Sequence, residues 1–335
     1  MKKTGILLIN LGTPDHCDRK SVYRYLTEFL NDPRVIDLPT IVRWLLVNVL
    51  IVPFRAGKAA HAYQQIWTKA GSPLLEHSKA LKQALQNKLG GAYQVALGMR
   101  YGNPSIESAL ATLTDCHTIH VIPLFPQYSS AANGSAIEKT LNLISKQWNI
   151  PAIHVWRDFY EQPAFVAASA DLIKQTMDQH KVDVVLFSYH GLPERHISKS
   201  ACKAACDHVH ACPVMDVNNQ FCYRAQCYAS TRAIAKQAGL TDQQYRIAFQ
   251  SRLGRTPWIK PYTDVLLPEL IQQGVKNIAV VCPSFVADCL ETLEEVNIRL
   301  REQWRALGGE SFQYVPCVND HPIWVAGLAV IPETP

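Results

Sequence analysis

The stretch that decides the fold is VVLFSYHGLPER, residues Val184–Arg195. Four apolar residues that favour strands lead directly into the tripeptide 188–190, and Gly191 and Pro193 then end the strand. A strand that is apolar on both faces is typical of a parallel sheet covered by helices. Ligands bind beyond the carboxyl ends of such strands, so His190 lies where a functional group is expected. A loop histidine with only a structural role remains the alternative on this stretch alone.

Strand and helix patterns alternate along both halves of the chain, which predicts an α/β protein. Two βαβ sheets that share a cleft fit the pattern better than one continuous sheet, and we place the boundary near residue 150. No glycine-rich dinucleotide fingerprint and no Walker-type phosphate loop follows any predicted strand. The predicted strands are 5–11, 93–98, 118–124, 152–155, 182–189, 245–251, 277–282 and 312–315.

The composition suits a globular enzyme. The chain has 335 residues, of which 48% are hydrophobic and 18% charged, and these values are not typical of a disordered protein. The formal net charge of +5 favours an anionic ligand or a membrane surface. Without a dense run of Lys and Arg or a nucleic-acid motif, the sequence predicts no nucleic-acid partner. The apolar run at the N-terminus stops at Gly12 with no cleavage site, which predicts a first core strand and a cytoplasmic location.

A second apolar stretch, Ile41–Phe54, has the sequence IVRWLLVNVLIVPF and is apolar nearly all round. It is shorter than the ~20 residues that are needed to cross a bilayer, and no apolar run in the chain approaches that length. Two interpretations remain open for this stretch. It forms either a buried core helix, or an exposed apolar lip that touches a membrane or an apolar ligand.

Polar and aromatic residues gather directly after the predicted strands. Among them, the imidazole of His190 and the carboxylates of Asp288 and Glu291 suit proton transfer on a flat apolar ligand with a few polar groups. Asp288 and Glu291 also match a capping box at a helix start, and Glu295 either continues the line of acids or pairs with Arg299. No serine elbow motif is present, which argues against a serine hydrolase. The remaining residues at these positions are Asn10, Arg100, Tyr128, Ser129, Ser130, Gln250, Arg252 and Trp258.

Half of the ten cysteines lie in one segment, 202–227, which has no clear helical or strand periodicity. Such a segment is typical of an insert that needs a metal or cluster for order. Its spacing lacks the Cys-x2-Cys pairs of structural zinc sites, whereas an iron–sulfur cluster accommodates it and a binuclear cluster needs four thiolates. Plain reduced thiols remain the alternative. The five cysteines are Cys202, Cys206, Cys212, Cys222 and Cys227.

Motifs along almost the whole chain resemble those of the ferrochelatases, the family that inserts ferrous iron into protoporphyrin IX to form protoheme. So many matches in one order are highly specific. The resemblance implies two Rossmann-like, chelatase-type domains around a porphyrin cleft, at 1–150 and 151–325. The matching stretches are INLGTPD (9–15), FLNDPRVIDLP (29–39), AYQQIW with GSPL (62–74), GMRYGNPSI (98–106), PLFPQYS (123–129), SYHGLPERH (188–196), FQSRLGRTPWIKPYTD (249–264) and FVADCLETLEE (285–295).

The resemblance also implies roles for single residues. His190 matches the catalytic histidine that takes protons from the pyrrole nitrogens, Glu291 matches the essential glutamate, and Asp288 is the acid beside it. His190 and Glu291 are further implied as ligands of the substrate Fe2+. Some members have a histidine where this chain has Cys289, so no second imidazole is expected. The implied porphyrin-binding residues are Asn10, Leu11, Arg100, Tyr128, Ser129, Gln250 and Trp258.

One class of ferrochelatases holds a [2Fe-2S] cluster in an internal cysteine-rich segment, and residues 202–227 resemble that class. The implied ligands are Cys202, Cys206, Cys212 and Cys222. Cys227 is the alternate, because cluster-free relatives can also have a cysteine at this position.

The resemblance identifies 41–54 with the apolar lip of the pocket, which favours peripheral contact with the inner face of a membrane. Two other functions are weighed against ferrochelatase. One is a chelatase for another metal or tetrapyrrole, and the other is a non-enzymatic iron–sulfur redox sensor on a chelatase scaffold. The intact His190 and Glu291 argue against the sensor.

Overall fold

The computed structural model describes residues 3–200, 212–252, 254 and 256–331. These residues form two units, each built on a parallel four-stranded sheet flanked by helices, which confirms the predicted fold class. Among the described residues, the first unit comprises 3–125, 129–158 and 328–331, and the second comprises 126–128 and the rest of 159–327. The division between them therefore falls after Asp158 rather than at 150, and the last residues return to the first unit.

The sheet of the first unit has the strand order β2-β1-β3-β4. Its central strand, β1, pairs in parallel with β2 and β3, and residues 6–9 of β1 have no solvent exposure. The strands are β1 (Lys3–Thr13), β2 (Tyr93–Gly102), β3 (Cys116–Pro123) and β4 (Ala152–Val155). The helices are α1 (Arg19–Leu30), α2 (Thr40–Leu45), a π-helical segment (Leu46–Ile51), α3 (Val52–Ile66), α4 (Pro73–Leu89), a 3-10 turn (Gly90–Ala92), α5 (Ile106–Ala111), a second π-helical segment (Ser130–Gly134) and α6 (Ser135–Ile144).

The end of β1 depends on a glycine. Gly12 has a φ of 115°, and a Cβ at this position would lie 1.8 Å from the carbonyl oxygen of Tyr101 on β2. Only glycine adopts this conformation without strain and lets the two strands approach so closely. The chain then turns into α1, where the Asp18 carboxylate accepts hydrogen bonds from the backbone N–H groups of Lys20 and Ser21.

The sheet of the second unit has the strand order β6-β5-β7-β8, which repeats the order of the first sheet. Residues 184–190 form its central strand, and all three strand pairs are parallel. The strands are β5 (Val184–His190), β6 (Tyr245–Gln250), β7 (Asn277–Val281) and β8 (Ser311–Tyr314). The helices are α7 (Pro163–Gln179), α8 (Glu194–Ser198), α9 (Tyr223–Ala238), α10 (Thr263–Gln272), a π-helical segment (Glu291–Leu300) and α11 (Arg301–Ala306), and the last helix of the chain is α12 (Pro322–Val330).

The apolar stretch 41–54 belongs to a longer helix than the sequence predicted. Helices α2 and α3 and the π-helical segment between them form one continuous helix, Thr40–Ile66, of 27 residues. By length and composition alone this helix could cross a membrane, which corrects the expectation that no segment is long enough. Val47 and Val52 are fully buried, but most large apolar side chains of 41–54 are exposed, so the stretch is an apolar lip and not a core helix.

A buried carboxylate organises the first unit. Asp32 accepts hydrogen bonds from the Arg100 guanidinium at 2.6 Å, the Tyr101 hydroxyl at 2.8 Å and the Ser135 hydroxyl at 2.5 Å. Burial alone would raise the pKa of Asp32, but the hydrogen bonds from Ser135, the backbone of Arg34 and Tyr101, together with the Arg100 charge, hold that pKa below its ordinary value.

We predict that Asp32→Asn lowers the free energy of unfolding by about 3 kcal/mol at neutral pH, because it leaves the Arg100 guanidinium without its carboxylate partner. Since the folded-state pKa of Asp32 lies below 3.8, the ordinary value, the wild-type advantage is complete above that pH and is lost as pH falls through the folded-state pKa. Urea unfolding of both proteins from neutral to acidic pH measures this difference.

The matched control is Asp15→Asn. Asp15 pairs with Arg24 at 3.4 Å, and the Arg24 side chain is 65% and the Asp15 side chain 33% exposed to solvent. Removing this surface ion pair should change the free energy of unfolding by no more than ~0.5 kcal/mol. Equal losses in the two variants would contradict a structural role for the buried network around Asp32.

Candidate functional site

His190 is the last residue of β5, and its ring has a defined orientation. The Nδ1 atom lies 2.6 Å from the backbone oxygen of Gly191. Because a carbonyl oxygen can only accept, Nδ1 carries the hydrogen, and the neutral ring presents its lone pair on Nε2. The Phe285 ring meets the imidazole edge-on, with 6.2 Å between ring centroids. The arrangement therefore suits a proton acceptor that works through Nε2.

The residue after His190 has to be glycine. The N–H of Gly191 donates to the backbone oxygen of Gln250 at 2.8 Å. A Cβ on Gly191 would lie 2.7 Å from that same oxygen and 3.2 Å from the Trp258 ring. Trp258 thus lies against the backbone that carries the imidazole, and its contact with a porphyrin stays a prediction.

The Gln250 side chain is buried, and both ends of its amide form hydrogen bonds within the protein. Its Oε1 accepts a hydrogen bond from the Ser188 hydroxyl at 2.6 Å, and its Nε2 donates to the backbone oxygen of Glu291 at 3.0 Å. Ser188 also lies 2.9 Å from the Thr263 hydroxyl. Gln250 therefore ties the ends of β5 and β6 to the start of the π-helical segment, and its contact with a porphyrin stays a prediction.

Glu291 begins a segment whose hydrogen bonds run from residue i to i+5, where the sequence predicts an ordinary helix. π-Helical turns of this kind are rare and often mark functional sites. The neighbouring Cys289 thiol is buried, and burial and then the Glu291 carboxylate raise its pKa, so it stays protonated. In the second unit, His190, Glu291, Gln250 and Trp258 thus come from segments that contact one another.

Glu295 lies one turn further along and is also largely buried. It accepts hydrogen bonds from the Ser251 backbone N–H at 2.9 Å and the Ser251 hydroxyl at 2.6 Å. Burial raises the pKa of Glu295, the Ser251 hydrogen bonds lower it, and the nearby His190 and Glu291 act in opposite directions, with a raised pKa as the net result. Arg299 donates to Glu294 at 2.8 Å, so the expected pairing of Arg299 with Glu295 is not the one formed.

Asp288 is surrounded by donors from another part of the chain. Its carboxylate accepts hydrogen bonds from the Tyr314 hydroxyl, from the Asn319 amide at 2.9 Å and from the backbone N–H of Cys317 at 3.2 Å. The Thr292 hydroxyl adds a longer one at 3.4 Å. No side chain caps the N-terminus of the described segment Glu291–Leu300, so the capping-box alternative is wrong. The predicted catalytic role of Asp288 is not tested by these contacts.

The predicted porphyrin-binding residues are divided between the two units. In the first unit, Asn10 donates to the Ser78 hydroxyl at 3.0 Å, and its Oδ1 accepts from the backbone N–H of Leu11 at 2.8 Å. Arg100 is held by Asp32, as described above. The first unit holds Asn10, Leu11, Arg100 and Ser129, and the second holds Tyr128, Gln250 and Trp258.

The cysteine-rich segment is described only in part, since Cys202 and Cys206 lie outside the described residues. Cys212, Cys222 and Cys227 are all buried. The Arg224 guanidinium donates to Cys212 Sγ at 3.1 Å. Burial raises the pKa of Cys227 well above its ordinary value, and Cys212 and Cys222 are close enough to add to the shift. In the part of the chain that the structure describes, no three His, Cys, Asp or Glu side chains are arranged to hold a metal ion.

The sequence did not predict a functional role for two residues that contact the His190 backbone. The Tyr223 hydroxyl donates to the backbone oxygen of His190 at 2.7 Å, and the backbone N–H of His190 donates to Ser284 Oγ at 3.2 Å. Ser284 follows the end of β7, and its position after a strand was a usable signal. Tyr223 had no such signal, because only the fold brings the start of α9 to the end of β5.

Comparisons with known proteins concern the chain as a whole. The family model for ferrochelatase matches residues 3–334. A ferrochelatase of Legionella pneumophila (strain Lens) is 57% identical over 329 residues, or 98% of each chain. A ferrochelatase of Coxiella burnetii (strain CbuK_Q154) is 49% identical over 330 residues, which cover 98% of this chain and 92% of the relative.

Two solved structures resemble the fold. SirB from Bacillus subtilis, solved with Fe3+, has a TM-score of 0.53 at 10% identity, over 99% of this chain and 94% of SirB. DR2241 from Deinococcus radiodurans, a multi-domain protein with structural similarity to chelatases, has a TM-score of 0.50 at 12% identity, over 99% of this chain and 54% of DR2241. At these identities the likeness concerns the fold alone.

Proposed function

The chain belongs to the ferrochelatase family, and from this premise we propose that it inserts ferrous iron into protoporphyrin IX to give protoheme, a lyase reaction of heme synthesis. The observation that carries the proposal is the similarity along the whole chain, at 49–57% identity to ferrochelatases over about 98% of its length. The reaction exchanges two protons on the pyrrole nitrogens for one Fe2+. The site must therefore accept protons and guide a divalent cation.

We assign proton acceptance to His190 and a second acidic position, for proton or Fe2+, to Glu291. The hydrogen bond from Nδ1 to the Gly191 carbonyl leaves Nε2 as the acceptor. A positioned imidazole of this kind is a suitable general base. We assign a structural role to Asp288. Because its carboxylate oxygens accept hydrogen bonds from donors in 314–319, it holds the start of the π-helical segment that carries Glu291.

Porphyrin binding is assigned to the residues that the family resemblance implies. A porphyrin is a flat apolar disc with two carboxylates, so it requires apolar walls and a rim with basic or hydroxyl groups. Trp258 and Tyr128 suit the walls, and Arg100 and Ser129 suit the rim. Metal insertion also requires a distorted ring, and a site that binds the distorted form better than the flat one accelerates the reaction.

We predict that His190→Ala lowers the rate of heme formation by roughly 100-fold or more, the usual contribution of a general base. The test is an anaerobic incubation with ferrous iron and protoporphyrin IX, in which porphyrin loss and heme formation are followed by absorbance. His321→Ala is the control, because His321 is a second-unit histidine that pairs with Asp171 at 3.1 Å. It should keep the wild-type rate.

Wild-type turnover by the His190→Ala variant would remove His190 from the proposed mechanism. Absence of heme formation by the folded wild-type protein would contradict the proposed activity itself. A panel of other divalent metals and tetrapyrroles would then separate a chelatase of different specificity from an iron–sulfur sensor without insertion activity.

We also propose that the cysteine-rich segment holds a [2Fe-2S] cluster through Cys202, Cys206, Cys212 and Cys222. The buried thiols of Cys212 and Cys222 fit such a group, and the Arg224 guanidinium beside Cys212 Sγ favours the thiolate that a cluster needs. When bound, a cluster of this kind supplies one-electron redox chemistry and a covalent cross-link of the segment.

Replacing Cys212 with Ser should abolish the visible absorbance of the cluster, because a binuclear cluster needs four thiolates. Cys17→Ser is the control, since Cys17 lies outside the segment and is partly exposed. Anaerobic visible spectra of purified proteins at equal concentration measure the effect. A full-strength spectrum from the Cys212→Ser variant would mean that the ligand set is wrong, and loss in Cys227→Ser but not Cys222→Ser would favour Cys227 as the fourth ligand.

We further propose that the apolar lip 41–54 rests on the cytoplasmic face of the inner membrane as a peripheral contact. An exposed apolar patch of this size with basic residues at its rim is typical of a membrane-binding surface. Arg19 donates to the carbonyl of Pro53 near the end of the lip, and Arg55 and Lys58 follow the lip in the helix Val52–Ile66. The exposed apolar side chains are Ile41, Val42, Trp44, Leu45, Val49, Leu50 and Phe54.

The double variant Trp44→Ser, Phe54→Ser should pellet about tenfold less with vesicles of phosphatidylglycerol and phosphatidylethanolamine, because both side chains lose apolar burial in lipid. Trp148→Ser is the matched control: Trp148 is 98% exposed and lies outside the lip. Co-sedimentation over a range of lipid concentrations measures the effect. Equal pelleting of the double variant and the wild-type protein would exclude the lip as the contact.

A further inference from the structure

The backbone of His190 is enclosed by a ring of three hydrogen bonds that involve two side chains. The Tyr223 hydroxyl donates to the His190 carbonyl at 2.7 Å, the His190 N–H donates to Ser284 Oγ at 3.2 Å, and the two hydroxyl oxygens are 2.9 Å apart. Because the Tyr223 proton is used on the carbonyl, Ser284 must donate to Tyr223. Each donor in the ring then has one acceptor, and such closed chains of hydrogen bonds strengthen one another.

The sheet explains why His190 needs these two partners. Successive residues of a strand direct their backbone groups to opposite sides. Gly191 donates to Gln250 on β6, so the N–H and C=O of His190 are directed to the β7 side. Among the described residues, the ladder between β5 and β7 ends at Phe187 and Val281, before His190 is reached. Tyr223 and Ser284 therefore supply hydrogen-bond partners to the His190 backbone where the ladder with β7 has ended.

The same tyrosine lies within the cysteine-rich segment, 202–227. Tyr223 is the first residue of α9 and directly follows Cys222, which is fully buried. The backbone N–H of Cys222 donates to the Asn219 carbonyl at 2.8 Å, and the Cys222 carbonyl accepts from Gln226 in the first turn of α9 at 3.0 Å. The backbone of the cysteine-rich segment around Cys222 therefore determines where the Tyr223 hydroxyl lies.

We propose that Tyr223 is a positioning residue for His190, and that it links the order of the cysteine-rich segment to the orientation of the imidazole. The peptide bond between His190 and Gly191 carries the carbonyl that Tyr223 holds, and the next carbonyl, that of Gly191, orients the ring through Nδ1. Loss of the Tyr223 hydroxyl lets this peptide rotate and moves Nε2 of His190 away from the position in which it accepts a proton. The inference rests on the proposed function, because it assumes that His190 accepts the porphyrin protons.

Tyr223→Phe tests the proposal, since it keeps the buried ring and removes only the oxygen. We expect kcat for heme formation to fall about tenfold, because small displacements of a catalytic group are costly, while KM for protoporphyrin stays within about twofold. Hydrogen exchange of the peptide containing 184–195, followed by mass spectrometry, should become faster. The visible spectrum should stay that of the wild-type protein.

Tyr228→Phe is the matched control. Tyr228 lies on the same helix as Tyr223 and is also buried. Its hydroxyl accepts a hydrogen bond from Arg224 at 3.3 Å and does not belong to the ring of hydrogen bonds around the His190 backbone. This variant should keep both the wild-type kcat and the wild-type exchange rate. Ser284→Ala should reproduce the effect of Tyr223→Phe, and the double variant should lose little more than either single variant, because both substitutions open the same ring.

The outcomes separate the two levels of the proposal. Wild-type activity in His190→Ala would overturn the proposed role of His190. An inactive His190→Ala together with wild-type kcat and exchange in both Tyr223→Phe and Ser284→Ala would overturn only the positioning role. Cys222→Ser should speed exchange at 184–195 as well as reduce kcat, and unchanged exchange in that variant would overturn the link to the cysteine-rich segment.

Discussion

The site depends on how one central strand ends inside the protein. β5 continues beyond its ladder with β7, so the backbone groups of His190 on that side need partners from outside the ladder. On one side Gln250 meets this need through the N–H of Gly191, and on the other side Ser284 and Tyr223 meet it. The requirement to pair buried backbone groups and the requirement to hold an imidazole in place are therefore met by the same contacts.

The buried acids of the molecule differ in what surrounds them. Asp32 and Asp288 both accept hydrogen bonds from donors of their own unit, and a catalytic role of Asp288 stays a prediction. Glu295 differs from both. Ser251 donates hydrogen bonds to its two carboxylate oxygens, but burial still raises its pKa. Glu291 is the acid that starts the π-helical segment beside His190. Asp288, Glu291 and Glu295, which lie close together in the sequence, thus have different surroundings in the folded chain.

The sequence predicted the fold class and the strand that carries His190, because a long apolar run next to glycine and proline is a local signal. It did not predict the partners of Asp288, which come from residues 314–319 and meet it only in the folded chain. The π-helical turn at Glu291–Leu300 and the exposure of the apolar lip also depend on tertiary packing. An apolar helix has the same pattern whether it lies in a core or at a surface, so composition alone could not decide between them.

The repeated strand order has a consequence for how the family can vary. In each unit the longest connection between strands leads from the central strand to an adjacent strand, from β1 to β2 in the first unit and from β5 to β6 in the second. The apolar lip lies in the first of these crossovers, and the cysteine-rich segment lies in the second. The two segments thus lie in equivalent connections of the two units, where added length does not change the register of the strands. A change of length in either crossover would therefore leave the strand pairing of both sheets in place.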